Sequence, residues 1–513
     1  MSKDYLTEFL PDLNEFRDKT MKFHNKEISV SEYKGFSGGF GSYAQRGGEK
    51  HMLRLRMAGG RLTKDRLSFI IQSCEKYHID KIKITTCQSI QLHNLEAEDL
   101  CEIIEEAWTA GMISRGGGGD FPRNVMASPL SGLQKDENFN VLPYAEAAGE
   151  YLMGFIKAVK FPRKLKVCFS NSPANEPHAT FRDLGFVANP NGTFDVYIAG
   201  GLGVKPLLGI CVAKAVDPSQ ILYYIKAMVD TFVTYGNYEN RGKSRTRFLQ
   251  ETLGQDGLIK AYQEKLQEAL TDPSLTLKLP AFEMNKKGDG ETISDKRIIP
   301  QKQEGLFSVF YQPIGGDLTP SKLTQLYHLI ESMDDVEIRL TPSEGLYVVN
   351  CTAKEARQVL ELTSDGAQTL FETSVACVGA TVCQVGIGDS NALLKSCVEA
   401  VRKENFADGV LPQIHISGCP SSCGTHQIGA LGFRGGMKQT PEGPKPAFAI
   451  FEGGCEYQGC EIISEMGKSI LTTEIPAFLI ELGKMVSSEH TVYEVWIKSN
   501  HDKLEQLIEK YTA

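Results

Sequence analysis

The feature that most limits what this chain can become is an internal repeat. The stretch from Met52, MLRLRMAGGRLTKDRLSFIIQSCEKYHIDKIKIT, can be laid over LFSVFYQPIGGDLTPSKLTQLYHLIESMDDVEIRLT from Leu306. Gly59-Gly60 falls on Gly315-Gly316, Leu62-Thr63 on Leu318-Thr319 and Ile84-Thr85 on Leu340-Thr341, always 256 positions apart (315 against 59) and without a gap. Each copy reads as an alternating strand, a Gly-Gly turn, an amphipathic helix and a second alternating strand. So long a period means duplicated half-molecules rather than a solenoid. With 513 residues the chain has room for several domains of mixed α+β class. The expected layout is an N-terminal wrapping segment (1–50), a first repeat half (51–122), an α/β region (123–275), a polar, Pro/Gly-punctuated linker (276–304), a second repeat half (305–371) and a second α/β region (372–513). From Pro476 the patterns PAFLIELGKMV and KLEQLIEKY read as helices.

Charge and cysteine content narrow the function. A net charge of −9 argues against nucleic-acid binding, which needs a basic face, but it says little about small anions. No apolar run reaches membrane-spanning length, and MSKDYLTEFLPDLNEF lacks the layout of a signal peptide, so no membrane partner and a cytoplasmic location are expected. Thirteen cysteines, an odd number, in a reducing compartment point to metal or redox work rather than disulfides.

Four of them form two spaced pairs, Cys377 and Cys383 in ACVGATVCQ and Cys419 and Cys423 in SGCPSSCGTHQ. Four thiolates are what a [4Fe–4S] cluster requires. Gly379, Gly418, Pro420 and Gly424 permit tight turns whose N–H groups can face cluster sulfurs. A Cys₄ zinc site is the rival, although the five-residue gap of the first pair is wide for a zinc knuckle. Cys74, Cys101, Cys211, Cys351 and Cys397 stand singly and read as core thiols, while Cys455 and Cys460 in GGCEYQGC are given no role.

C-x₅-C followed by C-P-x-x-C-G resembles the signature of the siroheme-dependent sulfite and nitrite reductases, and the likeness extends over most of the chain. It implies duplicated ferredoxin-like halves, with pseudo-twofold symmetry, plus two α/β domains that hold siroheme and the [4Fe–4S] cluster. It also implies Cys377, Cys383, Cys419 and Cys423 as cluster ligands, with Cys423 bridging to the siroheme iron. The implied activity is six-electron reduction of sulfite to sulfide, with nitrite to ammonia as the alternative. Ferredoxin, or else a flavoprotein, is the expected donor.

The same resemblance implies anion-binding roles for Arg54 in MLRLRMAGG, Arg123 in FPRNVMASP, and Lys164 and Lys166 in PRKLKVCFS. Lysines two apart on an extended strand share a face, and crowding them is costly unless an anion is present. Implied siroheme contacts are Lys83, Gln88 and His93 in KITTCQSIQLH, Arg241, Lys243 and Arg245 in ENRGKSRTRF, and the Gly200-Gly201 run. One departure stands out. Cys87 occupies a strand position where relatives commonly carry an arginine.

Overall fold

The computed structural model describes residues 5–280 and 284–512; residues 1–4 of the expected wrapping segment, 281–283 of the linker and 513 lie outside the described residues. The repeat is real at the level of structure. Strands His51–Leu55 and Ile90–Leu95 recur as Phe307–Tyr311 and Leu346–Cys351, and helices starting at Lys64 and Ala97 recur at Pro320 and Ala353, all at the same 256-residue offset. The caps recur too. Thr63 and Thr319 each accept an N–H of their helix's first turn through the side-chain oxygen.

The alternating strands do not by themselves close their sheets. The first sheet runs Ser42–Ala44, His51–Leu55, Ile90–Leu95, Ile82–Ile84, and finishes with Asp317–Leu318 from the other half. The second runs Ile298–Pro300, Phe307–Tyr311, Leu346–Cys351, Glu337–Leu340, and finishes with Arg61–Leu62 from the first. Each Gly-Gly turn makes this exchange possible. Gly59 and Gly60 (φ +62° and +70°) and Gly315 and Gly316 (φ +64° and +70°) all take the left-handed conformation, and a Cβ on Gly60 would stand 2.7 Å from the Leu340 carbonyl. One apolar core, from Leu53 and Ile90 to Val309 and Val348, runs through both halves. Both sheets begin earlier than the expected boundaries at 51 and 305. The edge strands Ser42–Ala44 and Ile298–Pro300 are three residues long and too short to show a period.

The exchange is fixed by Lys83. Only 1% exposed, its ammonium contacts the Gly315 carbonyl, donates to the Ala376 carbonyl (2.9 Å) and lies 3.3 Å from Glu344. Burial pushes Glu344 up to about 7, against the pull of Lys83 and the Ala376 N–H. K83M therefore strands a buried carboxyl. We expect a stability loss of about 3 kcal/mol at pH 8, shrinking as the pH falls and Glu344 takes up a proton. Denaturant midpoints at two pH values check this, and a loss below about 1 kcal/mol at pH 8 contradicts it.

The two α/β regions are also copies. Each holds a sheet of three parallel strands continued by antiparallel ones, Met126–Ala127, Val167–Ser170 and Leu184–Ala188 in the first, Val375–Ala376, Ile414–Ser417 and Leu431–Thr440 in the second. The loops after the middle strands match turn for turn at an offset of 247 (414 against 167). Asn175 and His178 have φ +51° and +66°, and Ser422 and Thr425 have φ +54° in both cases. The turn hydrogen bonds match as well, His178 N–H to Asn175 O and Thr425 N–H to Ser422 O. The segments expected to be C-terminal helices form Ile475–Ser488 and Tyr493–Thr512, which cover the last sheet. Among the described residues no helix is long and apolar enough to cross a membrane.

Candidate functional site

The two cysteine pairs meet because their loops leave neighbouring parallel strands at the same end. Cys377 and Cys383 follow Val375–Ala376, and Cys419 and Cys423 follow Ile414–Ser417, which pairs with it. The turns supply donors as their glycines suggest. Gly418 N–H points at Cys377 Sγ (3.2 Å), and Ser390 Oγ lies 3.0 Å from the same sulfur. Burial raises the Cys423 thiol, and the neighbouring Cys419 and Cys383 add to this while Lys164 and Lys166 oppose it. Burial, then Cys423, pushes Cys377 up to about 11. The four thiols thus share one electrostatic neighbourhood.

A tetrahedral zinc with Zn–S bonds of about 2.3 Å holds its sulfurs about 3.8 Å apart. Among the described residues no three of these sulfurs lie within 4.8 Å of one another. Four thiols gathered around one centre at this looser spacing suit the corners of a cluster.

Cys423 stands beside a group of basic side chains, with Lys164 and Lys166 acting on its thiol. Cys423 is an exposed residue, and its carbonyl accepts the Thr86 hydroxyl (2.8 Å). Arg54 and Arg123 both donate to the Gly117 carbonyl (2.7 Å each), and Arg123 also to Gly119 O (3.1 Å). Lys164 and Lys166 flank Leu165, whose backbone bonds with Phe121 and Arg123 extend the parallel ladder by one step. Burial, then Arg245, Lys166 and Arg123, pulls Lys164 well below the usual lysine range, and Cys423 opposes this. Lys166 is pulled down by burial, while the Cys87 thiol, 3.4 Å from its ammonium, works against that shift. At Cys87 itself burial pushes upward, but Lys166, Arg182 and Arg54 more than offset it and bring the thiol to about 6. Arg245 donates to both Asp183 oxygens (3.0 and 2.9 Å).

Arg54, Arg123, Lys164, Lys166, Arg182 and Arg245 make up a strongly cationic wall. Among the described residues the only carboxylate bonded to it is Asp183. Arg123 Nε, Arg245 Nε and, beside Gly201 and Gly203, Arg247 Nη1 are buried donors with no partner. Uncompensated cations and orphaned donors next to an open thiol fit an anionic tetrapyrrole beside an iron–sulfur cluster.

Other expected contacts lie elsewhere. Gln88 is fully buried and spends its amide on Ala127 and Leu340 backbone. His93, 1% exposed, sits between Gln45 and Gln91, and Lys83 is committed to the strand exchange. Among the described residues none of these three side chains has a free donor, since each is bonded to protein groups. Arg241 (66% exposed) and Lys243 (52%) form surface ion pairs with Asp120 and Glu251. Gly200 serves packing, as a Cβ there would meet Phe181 Cα at 2.7 Å, while a Cβ on Gly201 would stand 3.7 Å from the Arg245 and Arg247 guanidiniums. Sequence reasoning missed Arg182 and Tyr43. The Tyr43 hydroxyl accepts Gly119 N–H (2.7 Å); burial raises it, but Arg123, that N–H and Arg54 bring it below the usual tyrosine range. The one available signal for Arg182 was a charged Arg-Asp pair directly before the wholly buried strand Leu184–Ala188.

This fold and site define a redox enzyme class, and the comparisons agree. The family model described as "Nitrite and sulphite reductase 4Fe-4S domain" matches residues 118–270, and "Nitrite/Sulfite reductase ferredoxin-like half domain" matches 43–107 and 299–364. The chain is 28% identical over 425 residues to a ferredoxin–nitrite reductase of Synechococcus elongatus (79% of this chain, 80% of the relative). It is 26% identical over 422 residues to the chloroplastic ferredoxin–nitrite reductase of Spinacia oleracea (79% and 70%). It is 25% identical over 422 residues to sulfite reductase [ferredoxin] 1 of Mycolicibacterium paratuberculosis (79% and 73%). The structure of the Mycobacterium tuberculosis NirA protein has the same fold, with a TM-score of 0.76 at 22% identity over 95% of this chain and 94% of that one. The chain belongs to the nitrite and sulfite reductase family, an oxidoreductase family that carries siroheme and a [4Fe–4S] cluster. The matched residues end at 270 and 364, so the four thiols rest on their own geometry.

Proposed function

We propose that the chain reduces sulfite to sulfide in a six-electron reaction, with ferredoxin as donor and a flavoprotein as the other candidate. In this reading Cys377, Cys383, Cys419 and Cys423 hold the cluster, and Arg54, Arg123, Lys164 and Lys166 bind the anion. When bound, siroheme supplies the iron at which the anion is reduced, and the cluster supplies the electrons that reach it. Arg54 and Arg123, tied to one carbonyl, hold their guanidinium edges at a fixed separation for the substrate oxygens. Lys164, depressed by burial and by its cationic neighbours, holds its proton loosely and is suited to hand it to a departing oxygen. The observation that carries this reading is the gathering of Arg54 and Arg123 on the Gly117 carbonyl and of Lys166 on Cys87, in one basic group with Lys164 and Arg245 beside Cys423. The expected division into two ferredoxin-like halves and two α/β regions is proposed with it. A cytoplasmic location is also proposed, supported by thirteen free thiols.

A second reading, nitrite to ammonia, is favoured by one contact. Lys166 is engaged by Cys87 at 3.4 Å, which leaves one cation fewer for a third oxygen. Sulfide and ammonia production with reduced methyl viologen as donor tests both. We expect the larger kcat/KM for sulfite, and we expect C87A, which frees Lys166, to raise the sulfite-to-nitrite ratio by about three- to tenfold. A larger kcat/KM for nitrite in both chains selects the second reading, and a loaded chain forming neither product removes both.

A further inference from the structure

The loop Ser172–His178 is the counterpart of the cluster loop, and at the 247-residue offset it places Ser172 and Glu176 where Cys419 and Cys423 stand. The hairpin bridged by Cys455 and Ile462, part of the GGCEYQGC motif, closes over it. Asn175 Nδ2 donates to the Glu456 carbonyl (2.9 Å) and Gln458 N–H to the Pro173 carbonyl (2.9 Å). From this hairpin the Glu456 side chain reaches His178, with Oε2 2.6 Å from Nε2. The other ring nitrogen, Nδ1, is 2.9 Å from Arg182 Nη2.

A guanidinium has donors only. Nδ1 must therefore accept, the ring proton must sit on Nε2, and there it donates to Glu456. With Nδ1 occupied by Arg182, the imidazole cannot pass a proton through and acts as a strut. Arg182 Nε donates to the Pro177 carbonyl (3.0 Å), so two of its three nitrogens are fixed. Nη1 makes no hydrogen bond among the described residues, and it is not one of the sealed, unpartnered donors. Arg182 is 7% exposed, and its charge acts on both Cys87, in the turn between Ile82–Ile84 and Ile90–Leu95, and Lys166, so it belongs to the same basic group.

We propose that Glu456 and His178 are positioning residues that hold Arg182 in the cofactor cavity, where its free Nη1 edge binds a carboxylate of the tetrapyrrole. This rests on reading the cavity as the siroheme site, and it gives the hairpin of GGCEYQGC a task.

The test is siroheme uptake, measured as bound tetrapyrrole per full-length chain and by titration of the stripped protein. R182A is expected to bind at least about tenfold more weakly. R182M, which keeps the packing of the stem, should lose as much while melting like the wild type. E456A should weaken uptake in the same direction, and E456Q, whose Oε1 accepts the same Nε2–H, should restore it. Because the residues act through one another, R182A/E456A should be no weaker than R182A. Wild-type uptake by both R182A and R182M overturns the inference, as does an E456A loss that multiplies with that of R182A. A wild-type chain that takes up no tetrapyrrole overturns the cavity reading and this inference together.

Discussion

C423A is expected to purify without the visible colour of the cofactor pair and to lose about three orders of magnitude in reductase activity, about 4 kcal/mol of transition-state stabilisation. Lys164 and Lys166 of the cationic wall act on the Cys423 thiol, as do Cys419 and Cys383, so its removal is expected to act on both cofactors at once. C101A is the control. That thiol is buried in the helix Ala97–Thr109 of the shared core, and its loss should cost only packing. Iron and acid-labile sulfide counts with visible spectra read the outcome. A C423A chain that keeps its iron, sulfide and turnover would refute the ligand assignment.

R123A should lower kcat/KM for the anion by about 10²–10³-fold, the usual effect of removing one preorganised donor to developing negative charge. It should also change the pH profile in a stated direction. Lys164 is cationic below its depressed pKa and loses its charge as the pH rises through it, so anion binding weakens on the alkaline side. Arg123 is one of the cations that depress it. Its removal lets Lys164 keep its proton longer and moves the alkaline limb of kcat/KM to higher pH. A limb that stays in place, or moves down, would separate Lys164 from substrate binding.

Much of this was legible in the chain because the signals were local. Gly-Gly between an alternating strand and an amphipathic helix appears twice at one offset, and glycine and proline around Cys377, Cys383, Cys419 and Cys423 mark loops built around an anionic group. What was hidden depends on contacts between distant segments. Lys83 stands between Ile82 and Ile84 as a ligand-facing group would, but alternation shows two faces without saying what covers each. The two-residue strands Arg61–Leu62 and Asp317–Leu318 carry no period at all. Arg182 follows a loop without cysteines, and only Ser170, Pro173 and the Leu184-Gly185-Phe186 run, matching Ser417, Pro420 and Leu431-Gly432-Phe433, mark it in sequence as the copy of the cysteine loop. Arg241 and Lys243 look like Arg245 in sequence, and only the turn Arg241–Lys243 at the surface separates them from it.

The exchanged strands bind the fate of one half to that of the other. A break anywhere in the segment 276–304 would leave two fragments, each with an unfinished β-edge whose missing piece is carried by the other, so neither could shield its backbone from water or from its own kind. The cavity lies across that mutual dependence, with cations from one side and thiols from the other. Its assembly is therefore an all-or-nothing event, in which a tetrapyrrole meets either the finished pocket or none.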